Sequence, residues 1–383
     1  MKASQARFIA DAEAGSLLHI DLGALVSNWR FMRDRAGDAE ASAVVKADAY
    51  GTGIETTVPA LYRAGCRTFF VAHLSEAVRA RTVAPEATIY VLNGLPPGTC
   101  EVYREFELRP VLGSLDEFEE WAAFCRAQGQ KLKAAVHFDT GMHRLGLTVA
   151  QGLNLKNDSR LKDFEPALLM SHFASAEERD NPLNRRQIEA FSAIRQSLPG
   201  IPCSLANSSG ILREEKPHFE LVRPGYALYG GNPTPDQANP MRPVVSLQSR
   251  IIQLRTVEEG EGVGYNSRWT ARGKRRLATL SIGYADGYPR SASSIGVSGE
   301  ATTRGMAIVA DRLCPFAGTV SMDLIIVDVT DVPENDVKRG DLVTLIGGEL
   351  TIDEVGRRAG TIGYEILTSL GRRYARTHRE AEF

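Results

Sequence analysis

The chain has 383 residues, long for a single domain and enough to bury a sizeable core, so two domains are the natural expectation. Lys and Arg total 45 against 47 Asp and Glu, a balance that offers no electrostatic footprint for nucleic acid or for an anionic membrane surface. The opening MKASQARFIADAEAG lacks the apolar core and small-residue cleavage site of a leader, and no run approaches the length of a membrane span, so a cytoplasmic protein is expected. Cys66, Cys100, Cys125, Cys203 and Cys314 are scattered and never form C-x-x-C, which reads as reduced, mostly buried thiols. The 7 histidines include no H-E-x-x-H, and no protein-held metal is expected.

In chain order, LLHID from Leu17 reads as a strand, and Leu22, Leu25, Trp29 and Met32 follow helical spacing. Strands are then expected over 43–46, 68–72, 88–92, 108–112, 133–138, 167–171, 202–206 and 219–223. Between most of them lie amphipathic helical patterns, such as Ile54, Val58 and Leu61, or Leu115, Phe118, Trp121 and Cys125. Ser114 with Glu117 forms a capping-box signature, and Pro182 opens a helix whose apolar face is Ile188, Phe191, Ile194 and Leu198. This rhythm predicts an α/β fold, a TIM-type (β/α)8 barrel over residues 15–240, with an open doubly wound sheet as the structural rival. GNPTPDQANPMRP then breaks the alternation. Beyond it, strands without long helices are expected over 244–257, 276–282, 306–310, 324–329 and 342–346, giving a β-rich domain over residues 241–383 whose late helix is capped by Thr351 and Glu354.

The chemically suggestive residues Lys46, Arg144, His172, Asn207, Ser208 and Arg223 fall at or just after expected strand ends, where barrels keep their chemistry. In AVVKADAYGTG a β-branched run delivers Lys46, followed by Asp48, Tyr50, Gly51 and Gly53. A lysine there forms a Schiff base if its surroundings lower its pKa; the plain alternative is a surface lysine. In HFDTGMHRLGL, Arg144 on a glycine-containing turn suits an anionic oxygen, or the segment is only a capped loop. LANSSG offers Asn207 and Ser208 at a helix start, suited to phosphate or equally to plain capping. VRPGYALYG places Arg223 before Gly225 and Tyr226, and an ion pair with a nearby acid is the plain reading of that arginine. In the second domain GVGYNSRW and SIGYADGYPR set Tyr265 and Tyr284 in glycine-flanked turns, loops that present the ring or equally ordinary β-turns with an aromatic plug, while GTVSMD contributes Met322 and Asp323 and GTIGYE adds Tyr364 after Gly363.

AVVKADAYG, DTGMHRLG, SHFA, ANSSG, RPGYALYG, VGY, IGYADG, SMD and GTIGYE, in this order from about Leu17 to Tyr364, resemble the motif succession of bacterial alanine racemases. The resemblance implies a pyridoxal phosphate enzyme interconverting L- and D-alanine for peptidoglycan, built as a head-to-tail homodimer with shared active sites. It implies that Lys46 is the Schiff-base lysine, and that Tyr50, Asn207, Ser208, Tyr364 and the backbone of Gly225 and Tyr226 bind the cofactor. It places Arg223 at the pyridine nitrogen, His172 against the ring, and Arg144 on the phenolic oxygen and the substrate carboxylate. Tyr265, reaching in from the partner subunit, is implied as the acid/base opposite Lys46, with Tyr284, Met322 and Asp323 in the substrate pocket. Three residues depart from the family pattern: Thr52 stands where many relatives have histidine, His137 where some carry a modified lysine, and Tyr226 where a smaller aliphatic residue is common. A racemase of the same fold acting on serine, lysine or a broader range of amino acids is the alternative reading.

Overall fold

In a computed structural model, residues 13–294 and 305–381 are described, so most of the N-terminal stretch considered as a leader lies outside them. The chain divides into two compact units: Ala24–Arg242, and Pro243–Glu380 together with the described residues up to Gly23.

In the first unit every expected strand has a counterpart. Glu40–Ala41 with Ala43–Val44, Thr68–Val71, Thr88–Val91, Arg109–Leu112, Lys133–Asp139, Glu165–Met170, Cys203–Ser204 and Leu221–Val222 succeed one another along the chain, with helices between most of them. Each pairs in parallel with its predecessor from Ala43–Val44 through Cys203–Ser204. The ends then meet: Leu221–Val222 pairs in parallel with Glu40–Ala41, and an Asn207–Arg223 bridge ties it to the preceding strand. That closure excludes the open doubly wound sheet, and the fold is an α/β barrel.

The helices form where apolar spacing predicts them, with local differences. Phe118, Trp121 and Cys125 are buried, whereas Leu115 in the first turn is 40% exposed and drops out of the expected face. Ser114 Oγ accepts from Glu117 N at 3.2 Å, but the Glu117 carboxylate turns to Leu95 N and Gly113 N, so the capping box is only half formed. On helix Pro182–Ser197 the buried face includes the polar Asn184 and Gln187 beside Phe191 and Ile194. Gln187 donates to His172 O at 2.9 Å and accepts from Ala174 N at 3.0 Å, so a buried amide stitches the loop carrying His172 to the helix.

The second unit is built on the long strand Val245–Val257, antiparallel to Ser16–Asp21, Arg275–Leu280 and Leu342–Ile346. The strand expected at LLHID therefore exists but belongs to this sheet, not to the barrel as a boundary at residue 15 implied. Ala375–Arg379 runs parallel to it and has no apolar alternation to reveal it. Helix Ile352–Ala359 begins at Thr351, whose hydroxyl accepts from Glu354 N. Among the described residues no helix is long and apolar enough to cross a membrane, and no cluster of side chains could hold a metal ion.

Candidate active site

Lys46 leaves the end of the first barrel strand half-buried and leads directly into a turn of the left-handed sense. Ala47, Asp48, Ala49 and Tyr50 have φ between 52° and 54°, and Gly51 continues at 80°. For L-residues this conformation costs about 1–2 kcal/mol each, so neighbouring groups must hold it. Within the turn, Ala49 N bonds Val45 O and Gly51 N bonds Ala47 O. Thr52, fully buried, caps the Ala49 carbonyl with its hydroxyl. From outside, Glu76 accepts Asp48 N at 3.1 Å, and Arg79 donates to the Asp48 carboxylate at 2.6 Å. No motif marks Glu76 or Arg79, which lie far along the chain on helix Leu74–Val83.

This turn aims Tyr50 into the barrel mouth. Its ring stacks on Tyr229 with centroids 4.5 Å apart, and a Cβ at Gly225 would stand 2.7 Å from its hydroxyl oxygen. Glycine is required at 225 for that approach. Beside it, Ser208 Oγ accepts from Gly225 N at 3.0 Å and Ala227 N at 3.3 Å. Two hydroxyls and two backbone N–H groups thus converge here, the N–H groups engaged by Ser208 Oγ, in a polar cluster of the kind that phosphate oxygens occupy. Asn207 takes the capping alternative, its side-chain oxygen accepting Gly210 N at 2.9 Å. Tyr226 is buried and fills the space left by Gly231, where a Cβ would overlap its ring.

Arg223 is buried, and its partners are not the acid of the plain reading. It donates to Ser204 Oγ, to Ser171 O at 2.6 Å and to Leu205 O at 3.4 Å, and lies 3.3 Å from His172 Nδ1. Among the described residues it pairs with no carboxylate. Burial pulls its pKa down to about 9, still well above neutrality, so it stays charged. His172 is pushed well below the ordinary histidine range by burial and then by Arg223, which leaves it neutral. His137 is pushed down to about 4 by burial, Arg223 and Arg144. Burial first, then Arg144, lowers the pKa of the Lys46 amine, with Glu76 opposing and Arg223 adding to the fall. A mouth lined by Lys46, Arg144 and Arg223 with two neutral histidines suits a polyanionic ligand.

Arg144 sits on the turn after Lys133–Asp139, whose Asp139 carboxylate accepts the backbone N–H groups of Gly141, Met142 and His143. Its guanidinium is exposed and makes no hydrogen bond or ion pair among the described residues, from His137 or any other.

The remaining predicted residues belong to the second unit. Tyr284 N bonds Ser321 O at 3.0 Å and Ala285 N bonds Met322 O at 3.0 Å, so the loops bearing Tyr284, Met322 and Asp323 lie side by side. Arg373 ties them again, reaching Asp286 at 3.2 Å and Asp323 at 2.9 Å. Tyr265 is 75% exposed on a tight turn after Gly262–Val263, where Asn266 also has positive φ. That hairpin is rooted in a core of Val257, Val263, Ala271, Leu277 and Ala317. Tyr364 lies on the short helix Gly363–Thr368.

Residues 20–233 match the family described as alanine racemase, N-terminal domain, and residues 244–378 its C-terminal domain. An alanine racemase from Methylobacterium nodulans is 57% identical over 371 residues, covering 97% of this chain and 98% of the relative. A biosynthetic alanine racemase from Agrobacterium fabrum is 46% identical over 368 residues, covering 95% and 94%. Among solved structures, an alanine racemase from Bartonella henselae with covalently bound pyridoxal phosphate superposes with a TM-score of 0.90 at 38% identity, covering 96% of this chain and 100% of that one.

Proposed function

The chain belongs to the alanine racemase family, and from that premise we propose that it interconverts L-alanine and D-alanine with pyridoxal phosphate held in the barrel mouth. The observation that carries this reading is the convergence of a half-buried lysine of lowered pKa, a polar cradle at Tyr50, Ser208 and Gly225, and a buried arginine with no acid partner among the described residues.

The residues fit that cofactor. Lys46 would hold it covalently, the cradle would take its phosphate, and Arg144 its phenolic oxygen. When bound, pyridoxal phosphate draws electrons from Cα of the amino acid and so acidifies its hydrogen. Racemisation then needs a proton taken from one face and returned on the other. Lys46 would serve one face, and the fall in its pKa, caused first by burial and then by Arg144, favours the free-amine form that a base needs. Tyr265 of the partner subunit serves the other, which makes a homodimer part of the proposal. Arg223 offers only donors and keeps its charge, so it would keep a proton off the pyridine nitrogen and favour return of the proton to Cα. His172, neutral and fixed by Arg223, would lie against the ring as a flat packing surface. Tyr284, the Met322 backbone and Asp323 would line the substrate pocket. The setting proposed is the cytoplasm, with D-alanine supplied to peptidoglycan.

Incubation of the purified holoenzyme with L-alanine in deuterated water tests this. Loss of optical rotation with deuterium at Cα is expected; retention of both rotation and hydrogen sinks the reading. Repeating the assay with L-serine and L-lysine separates alanine from the wider-pocket alternative.

A further inference from the structure

We propose that Glu76 is a positioning residue for the reaction, its buried carboxylate pinning the left-handed turn that starts at Lys46 and so fixing where the lysine amine is delivered. This rests on the reading of Lys46 as the reactive lysine.

Glu76 is only 9% exposed, and its carboxylate accepts three backbone N–H groups. One oxygen takes Ala72 N at 2.9 Å and His73 N at 3.1 Å, the usual business of an acid in the first turn of a helix. The other takes Asp48 N at 3.1 Å, which capping does not account for. Asp48 N is inside the turn of positive φ, where the main-chain bonds run from Ala49 to Val45, Gly51 to Ala47 and Gly53 to Asp48 and leave that N–H to Glu76 alone. One helical turn on, Arg79 grips the Asp48 carboxylate and reaches Glu55 at 2.7 Å, and Asp48 itself accepts Ile54 N at 3.2 Å. Arg79 and Asp48 are more than a third exposed, so that pair contributes little on its own. Glu76 is the shielded member and the one that reaches the backbone.

The same carboxylate is the acid that counters Arg144 and Arg223 at Lys46, while His172 adds no positive charge. Loss of its charge therefore has two effects of separate origin. The turn is freed to relax toward the hand that L-residues prefer, and the Lys46 amine titrates lower.

The test is Glu76→Gln, with Glu76→Asp used in its place if the glutamine variant does not accumulate as folded protein by circular dichroism. In the holoenzyme kcat is expected to fall about 10- to 100-fold with KM changed less than about threefold, as for a displaced reacting group. In cofactor-free protein, the pH midpoint for acetylation of Lys46, followed by peptide mass spectrometry, is expected to move down in Glu76→Gln. The decisive arm adds Ala47→Gly and Ala49→Gly, since glycine takes positive φ without strain. If Glu76 works by holding the backbone, the glycines restore part of kcat while leaving the lowered midpoint in place. A kcat within twofold of the parent, or a loss that the glycines do not relieve at all, overturns the proposal. Borohydride reduction of the parent holoenzyme with mass mapping stands apart from these arms. Label on a lysine other than Lys46 would defeat the reading of the site itself, whatever Glu76→Gln does.

Discussion

Arg223 Nη2 lies 3.3 Å from His172 Nδ1, and a guanidinium only donates, so Nδ1 is the acceptor and the imidazole carries its single proton on Nε2. The pair therefore presents one positive charge and one neutral ring, the guanidinium fixed by Ser204 and backbone carbonyls and the imidazole by the guanidinium.

Replacing Arg223 by Glu reverses the character of that position. A carboxylate would favour a proton on the cofactor's ring nitrogen, so racemisation should drop by about 100- to 1000-fold while pyruvate formed per racemisation event rises. Coupled detection of pyruvate during L-alanine turnover measures both. Unchanged partition between the two products counts against the role given to Arg223.

Gly225→Ala tests the cradle. The added Cβ would stand 2.7 Å from Tyr50 Oη and 3.3 Å from Val44 Cβ, so Tyr50 must shift off its stack with Tyr229. A loss of stability of about 1–3 kcal/mol is expected from the overpacking, with at least tenfold weaker binding of pyridoxal phosphate by equilibrium titration. Cofactor affinity equal to the parent's means the cradle is not the phosphate site.

His137 predicts how the cofactor-free protein responds to acid. Its pKa is about 4 when folded and near 6.5 when unfolded, so between those values the unfolded chain binds more protons. Its contribution is present above about pH 6.5 and is lost as pH falls toward 4, by at most about 3 kcal/mol. His172, also held below the ordinary histidine range by burial, adds to the loss. Urea midpoints between pH 7.5 and 4 should fall along this curve, and His137→Asn should flatten its upper part. A parent curve that is already flat contradicts the neutral state assigned to His137.

The barrel is legible in the sequence because its strands are short β-branched or aromatic runs, such as TFFV at Thr68–Val71, separated by helical spacing. The position of Ser16–Asp21 is not, since an isolated apolar strand carries no mark of which sheet it joins. Lys46, Tyr50, Ser208, Arg223 and Gly225 are recognisable from motifs, and they do meet in one mouth. What escapes is the support. Ala47, Asp48 and Ala49 are ordinary L-residues whose positive φ is imposed by Glu76 and Arg79, contacts between residues about thirty positions apart that no local pattern encodes. Arg223 likewise invites an acid, and finds carbonyls and a serine instead.

Tyr265→Phe removes the proposed second base without disturbing the exposed hairpin turn that carries it. Racemisation in both directions should fall by about 100- to 10000-fold. Exchange of the Cα hydrogen of the enantiomer served by Lys46 should survive far better than that of the other. Equal and mild losses for both enantiomers would remove Tyr265 from the mechanism.

The proposed mechanism stands or falls on one site taking Lys46 from one subunit and Tyr265 from its partner. Lys46→Ala and Tyr265→Phe proteins, each nearly inactive alone, can be mixed, unfolded and refolded together, and the mixed dimers counted by native mass spectrometry. Each mixed dimer would contain one site with both bases intact, so racemase activity should return in proportion to the mixed-dimer fraction. Mixed dimers that form and remain as inactive as their parents would contradict the shared site.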